Sequence, residues 1–149
     1  MMEEKTEQEL IQIIEIMGDY DEVADALIEL KHRKNDKVFS MLNKIIREQL
    51  GDVYLQAMAF ELLYQINFEE ALTLLNEKIN EFDPYILASA MDCLSEDSEV
   101  IDIKLVEDIV KKLLQRSKSI ELDDTHLGQV VREAIDWFKE SYGPKLQKS

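Results

Sequence analysis

The sequence predicts an all-α protein on three observations. Apolar residues recur at helical spacing along nearly the whole chain. No segment alternates at period two for long enough to make a strand. Only 4 Gly and 2 Pro occur among 149 residues, far too little turn chemistry for an all-β sandwich. A length of 149 residues predicts a single domain spanning 1–149. Asp and Glu number 32 against 17 Lys and Arg, a net charge of −15, yet 46% of residues are hydrophobic, which excludes a disordered acidic tail.

The helices follow in order from their start and stop signals. Thr6 with Glu9 forms a capping-box pattern, opening a helix whose Leu10, Ile13, Ile14 and Met17 share a face. Gly18 is placed to end it, because glycine accepts the left-handed conformation of helix exits. Asp19 or Asp21 caps a second helix carrying Val23, Ala26, Leu27 and Leu30 into the basic exit Lys31-His32-Arg33-Lys34. Asn35 caps a third, with Val38, Phe39, Leu42, Ile45 and Ile46 inward and Gly51 at its close. Asp52 begins a fourth through about Ile66, and Asn67 starts a fifth bearing Ala71, Leu72, Leu75 and Ile79. Asp83-Pro84 is a strong start for the sixth, since Asp caps and proline at the first helical position sacrifices no hydrogen bond. A seventh runs from about Asp102, and an eighth from about Asp124 to Tyr142, with Gly143-Pro144 as its stop and 143–149 as a tail.

Eight helices could form a bundle or a stack of repeats, and internal similarity favours the stack. Asp52-Val53-Tyr54-Leu55-Gln56-Ala57-Met58-Ala59-Phe60-Glu61-Leu62-Leu63 aligns without gaps to Asp83-Pro84-Tyr85-Ile86-Leu87-Ala88-Ser89-Ala90-Met91-Asp92-Cys93-Leu94. Looser copies are Ala24-Asp25-Ala26-Leu27-Ile28-Glu29-Leu30 and Arg132-Glu133-Ala134-Ile135-Asp136-Trp137-Phe138. The preceding helices match too, with Val38, Leu42, Asn43 and Ile46 opposite Ala71, Leu75, Asn76 and Ile79. The repeating unit is a helical hairpin, at about 6–34, 35–66, 67–97 and 102–142. Small Ala positions let neighbouring backbones approach while bulky residues fill the layer between repeats.

The second-helix pattern Ala-x-Ala-apolar-acid-x-Leu, with Asp at the preceding cap, resembles HEAT-like repeats over roughly residues 6 to 142. That resemblance implies a right-handed α-α superhelix of about four HEAT-like hairpins, and it says little about function. Two family features are missing: the basic residue after the second-helix Asp, where Tyr54-Leu55-Gln56 and Tyr85-Ile86-Leu87 stand, and the first-helix proline.

Reactive constellations are few. Glu29-x-x-His32 and Asp123-x-x-His126 have a spacing used by carboxylate-bridged metal sites, but one lies in a basic helix exit and the other at a helix entrance. Solvent and capping account for both, so no metal or other cofactor is expected. The single Cys93 excludes an internal disulfide and, lying between Met91 and Leu94 in acidic company, reads as packing rather than nucleophile. No phosphate loop, nucleophile elbow or zinc-protease motif occurs. The acid pairs Glu69-Glu70, Glu107-Asp108 and Asp123-Asp124 are placed to complement helix N-termini. No enzyme is expected. The basic stretches Lys31 to Lys37 and Lys111-Lys112 with Arg116 and Lys118 sit at helix C-termini, and a net −15 opposes nucleic acid. The opening Met1-Met2-Glu3-Glu4-Lys5 lacks a signal-peptide pattern, and no apolar run nears the roughly 20 residues of a membrane span. The expectation is a soluble, cytoplasmic, monomeric chain without membrane contact.

The acidity is the remaining clue. Glu61, Asp92 and Asp136 occupy one equivalent position, and Tyr54 and Tyr85 another, with Trp137 beside Asp136. Helices stacked about 8–10 Å apart would align these carboxylates into a column for a basic protein partner, steered by its field. The competing reading is that the acids keep the chain apart from its neighbours and the tyrosines pack between repeats. A small, acidic helical repeat without catalytic motifs resembles bacterial immunity proteins, including those of contact-dependent growth inhibition. That resemblance implies a cognate basic toxin domain, of nuclease type in many cases; the alternative is a HEAT-like adaptor or regulatory subunit.

Overall fold

The computed structural model describes residues 1–147. It is all-α: a short 3-10 helix, Met2–Glu4, precedes α1 (Glu7–Ile16), α2 (Tyr20–His32), α3 (Val38–Arg47), α4 (Val53–Ile66), α5 (Phe68–Lys78), α6 (Pro84–Glu96), α7 (Ile103–Ser117) and α8 (His126–Gln147). No strand occurs among the described residues. The chain divides into two compact units, Met1–Phe68 and Glu69–Ser149. The division falls at the start of α5, between Phe68 and Glu69.

In the first unit the N-terminal caps form as their sequences dictate. Thr6 Oγ1 accepts from Glu9 N at 3.1 Å while the Glu9 carboxylate accepts from Thr6 N at 2.9 Å, the reciprocal capping box. Asp19 accepts from Asp21 N and Glu22 N at the start of α2, and Asp52 accepts from Leu55 N at 2.9 Å at the start of α4. Asn35 instead makes a turn, accepting from Lys37 N at 2.8 Å, and α3 starts at Val38. The helix exits depart from expectation. α1 leaves through Met17 at φ 56°, not Gly18, and α3 ends at Arg47 with Gln49 at φ 54° before Gly51. A left-handed methionine costs about 1–2 kcal/mol. Met17 is half-buried and lies with Ile14, Met41, Ile45 and Leu50 around a pocket of about 140 Å³. α3 faces α4 with Val38, Leu42, Ile45 and Ile46, all buried, each contributing roughly 1.5–3 kcal/mol of apolar burial. α2 packs on α1 and also on α4, so the two second helices of this unit touch directly.

In the second unit Asp83 caps α6 by accepting from Tyr85 N at 2.9 Å, with Pro84 at the first helical position. Asp102 caps α7 through Lys104 N at 3.0 Å. α6 packs along α8, the most extensive helix contact here, and α7 also packs on α8. The inward stripe of α8 is Val131, Ala134, Ile135, Phe138 and Tyr142, at the three- and four-residue spacing of one helix face. Ala88 and Ala90 of α6 are buried, the small residues that permit close approach.

Gly143-Pro144 does not stop α8, which continues to Gln147. Proline here removes one hydrogen bond within the last turn, a smaller loss than in mid-helix. The turn is held from outside: Tyr142 OH donates to Leu94 O at 2.6 Å, and Lys145 Nζ donates to Ser98 O. The expected tail is therefore helical through 147, and Lys148 and Ser149 lie outside the described residues.

Candidate functional site

The aligned copies set one register on α2, α4, α6 and α8, fully exposed on α2 and α8 and partly covered on α4 and α6. On α2 these are Asp21, Asp25, Ile28 and His32, all exposed. On α4 they are Tyr54, Met58, Glu61 and Gln65, exposed or half-buried. On α6 they are Tyr85, Asp92 and Glu96, with Ser89 nearly covered at 8% exposure. On α8 they are Gln129, Glu133, Asp136 and Glu140, all exposed. Each set follows the i, i+4, i+7, i+11 spacing of a single helix stripe, opposite the buried Ala and apolar positions. No position in these stripes holds Lys or Arg, and half are Asp or Glu.

Within the second unit, α6 and α8 run in the same direction. Their C-terminal ends meet through Tyr142 to Leu94 O and Lys145 to Ser98 O. Their N-terminal ends together flank a groove of about 350 Å³ lined by Pro84, Tyr85, Leu127, Gly128 and Val131, among others. The Tyr142 contact sets residue 94 opposite 142, whereas the sequence alignment sets Asp92 opposite Asp136. At 1.5 Å of rise per residue, the two registers differ by about one turn, so Asp92 and Asp136 lie within roughly a turn of one level. Charges at neighbouring-helix spacing are near the Debye length of about 8 Å and still repel. Glu61 lies on α4 in the other unit, half-buried.

The aromatic candidates differ from one another. Tyr54 is 51% exposed, Trp137 is 43% exposed, and Tyr85 is half-buried in the groove wall. Trp137 follows Asp136 in sequence but sits about 100° around α8 from it, so it flanks the stripe, nearer Glu133 and Glu140.

The remaining motifs resolve into structural roles. Glu29 does not face a metal with His32: its carboxylate accepts from Arg33 Nε at 2.8 Å. Arg33 also donates to the Met2 and Glu3 carbonyls, both at 3.1 Å, clamping the N-terminal 3-10 helix. Asp123 accepts from Thr125 N at 3.0 Å and from Thr125 Oγ1, and that hydroxyl accepts from Gly128 N at 3.1 Å. The Thr125 hydroxyl and amide hold the Asp123 carboxyl below the usual carboxylate range. No group of three or more His, Cys, Asp or Glu placed to hold a metal occurs among the described residues. Cys93 is half-buried. Glu69 and Glu70 do occupy the first turn of α5, but Glu107 and Asp108 lie beyond the first turn of α7, and Glu107 pairs with Lys111 at 3.2 Å.

The basic stretch on α7 is largely engaged. Lys112 donates to Asn76 Oδ1 at 2.5 Å, and Arg116 donates to Ile79 O at 3.3 Å and Phe82 O at 3.4 Å. Arg116 thereby satisfies carbonyls left open where α5 ends, as Arg33 does for the N-terminal segment. Both arginines stand as helix-end charges in the sequence; their second role depends on residues thirty or more positions away. No helix among the described residues is long and apolar enough to cross a membrane. Comparison with known proteins gives no match, whether to a family model, a curated sequence or a solved structure.

Proposed function

We propose that this chain is a non-catalytic protein-binding module that docks a basic protein domain on the α6 and α8 stripes of its second unit. In its most specific form it is an immunity protein that neutralises a basic toxin domain. One observation carries the reading: the stripes of α2, α4, α6 and α8 are free of Lys and Arg, while Asp21, Asp25, Glu61, Asp92, Glu96, Glu133, Asp136 and Glu140 are acidic. Acids kept only to prevent association would have no reason to exclude cations from one register in every repeat. A chain with 17 Lys and Arg has ample cations to place there.

Tyr54 and Tyr85 within these stripes, and Trp137 beside that of α8, supply amphipathic surface, the residue types that contribute most to protein interfaces. The acids raise the encounter rate with a cationic partner and set its orientation, and the aromatics slow its escape. Binding over a toxin's basic pocket would block access of a polyanionic substrate without any chemistry by this chain.

Co-expression with the product of the adjacent gene tests the proposal. Protected growth and a co-eluting complex on gel filtration are expected. Undiminished killing with no complex would reject the toxin reading, and a complex with a partner harmless on its own would favour an adaptor role.

A further inference from the structure

The geometry points to the groove at the N-terminal ends of α6 and α8 as an anchor for a protruding arginine side chain of the basic partner. This rests on the docking reading above and gives it a fixed point. The groove has a volume of about 350 Å³, at the small end of the roughly 300–1,000 Å³ typical of ligand pockets. That suits one long side chain and its flanking backbone, not a docked helix.

Its lining combines two chemistries. Tyr85, Leu122 and Leu127 give apolar and aromatic surface, while Asp83, Glu121 and Asp123 bring carboxylates; no Lys or Arg among the described residues lines it. The positive ends of α6 and α8 are also here, and each is equivalent to about half an elementary charge. Three carboxylates outweigh about one unit of helix-end charge together with Arg132, whose charge acts on Asp123, so the groove stays net negative. Two of the carboxylates are fixed in place: Asp83 by the Tyr85 amide at 2.9 Å and Asp123 by the Thr125 amide at 3.0 Å. Bonds to Thr125 lower the Asp123 carboxyl from its usual range and so favour its charged form.

Arginine matches this combination better than lysine. Its aliphatic stem lies along apolar surface while the charged head reaches carboxylates. Its planar, weakly hydrated guanidinium also stacks on a tyrosine ring, which a compact ammonium does less well.

The test is an amide chemical-shift titration of the full chain with blocked tripeptides carrying arginine, lysine, norleucine or glutamate between two leucines. The arginine peptide should shift the amides of Tyr85, Leu122 and Leu127 saturably, with lysine weaker and glutamate without effect. Reversing the exposed loop charge by Glu121→Lys should weaken the arginine peptide about threefold to tenfold, and Glu121→Gln should fall between. Equal shifts from the glutamate or norleucine peptide, shifts located away from the groove, or insensitivity to E121K would overturn the assignment. The titration requires no toxin, so its failure leaves the docking proposal standing. Absence of any complex with a basic partner would remove that proposal and leave the measured peptide affinities intact.

Discussion

Tyr142 donates its hydroxyl to the Leu94 carbonyl oxygen at 2.6 Å, from a side chain with no solvent exposure. Leu94 belongs to the last turn of α6, where carbonyls lack a helical partner, so a residue 48 positions away completes the end of that helix. Burial, with the Asp97 carboxylate as a lesser influence, pushes the Tyr142 hydroxyl up to about 12 from a usual 10.

Tyr142→Phe should cost about 1–2 kcal/mol at neutral pH, because it leaves Leu94 O buried without a donor. The alkaline behaviour should differ in sign. The folded chain holds this proton more tightly than the unfolded one, so its contribution is intact below pH 10 and is lost as pH rises towards about 12. Across that window the wild type loses about 2–3 kcal/mol that the Phe variant does not. Denaturant melts at pH 7 and near pH 12 should therefore show the order of stability reversing. An unchanged gap would mean that Tyr142 ionises freely.

Gly128 lies in the first turn of α8, where an added Cβ would stand 2.3 Å from Asp123 O. Glycine to alanine in a helix ordinarily gains up to about 1 kcal/mol. Here Gly128→Ala should destabilise, because backbone rather than a movable side chain blocks the space. Thr125→Val, which removes the hydroxyl that accepts from Gly128 N, should cost about 1 kcal/mol. Thermal melts of the two variants check both signs.

Arg116→Met should lower stability by about 1–3 kcal/mol, since it frees the Ile79 and Phe82 carbonyls together. Arg116→Lys should recover only part of that, because a single ammonium cannot reproduce the planar fork. Urea midpoints for the three chains decide the matter, and equal midpoints would mean that Arg116 is only a solvated helix end.

Much of the fold was legible because its signals are local. Thr6, Asp19, Asp52, Asp83 and Asp102 each cap within three residues of themselves, so their spacing alone announces the helix start. The exits were less legible. Met17 and Gln49 take left-handed conformations that glycine would take more cheaply, and no residue type at either position signals it. The continuation of α8 past Pro144 depends on contacts of Tyr142 and Lys145 with a helix end far back in the chain. The stripe that forms the candidate site was visible in the alignment of Tyr54 with Tyr85 and Glu61 with Asp92. The groove beside Tyr85 was not, because it needs the loop at 120–123 folded against α6 and α8.

Association kinetics measure most directly whether the acidic stripes guide a cationic partner. With the basic domain immobilised, Asp92, Glu133 and Asp136, all changed to Lys, should slow association about tenfold or more at low salt, flatten its salt dependence, and alter dissociation far less. An association rate and salt slope equal to those of the wild type would contradict the proposed face.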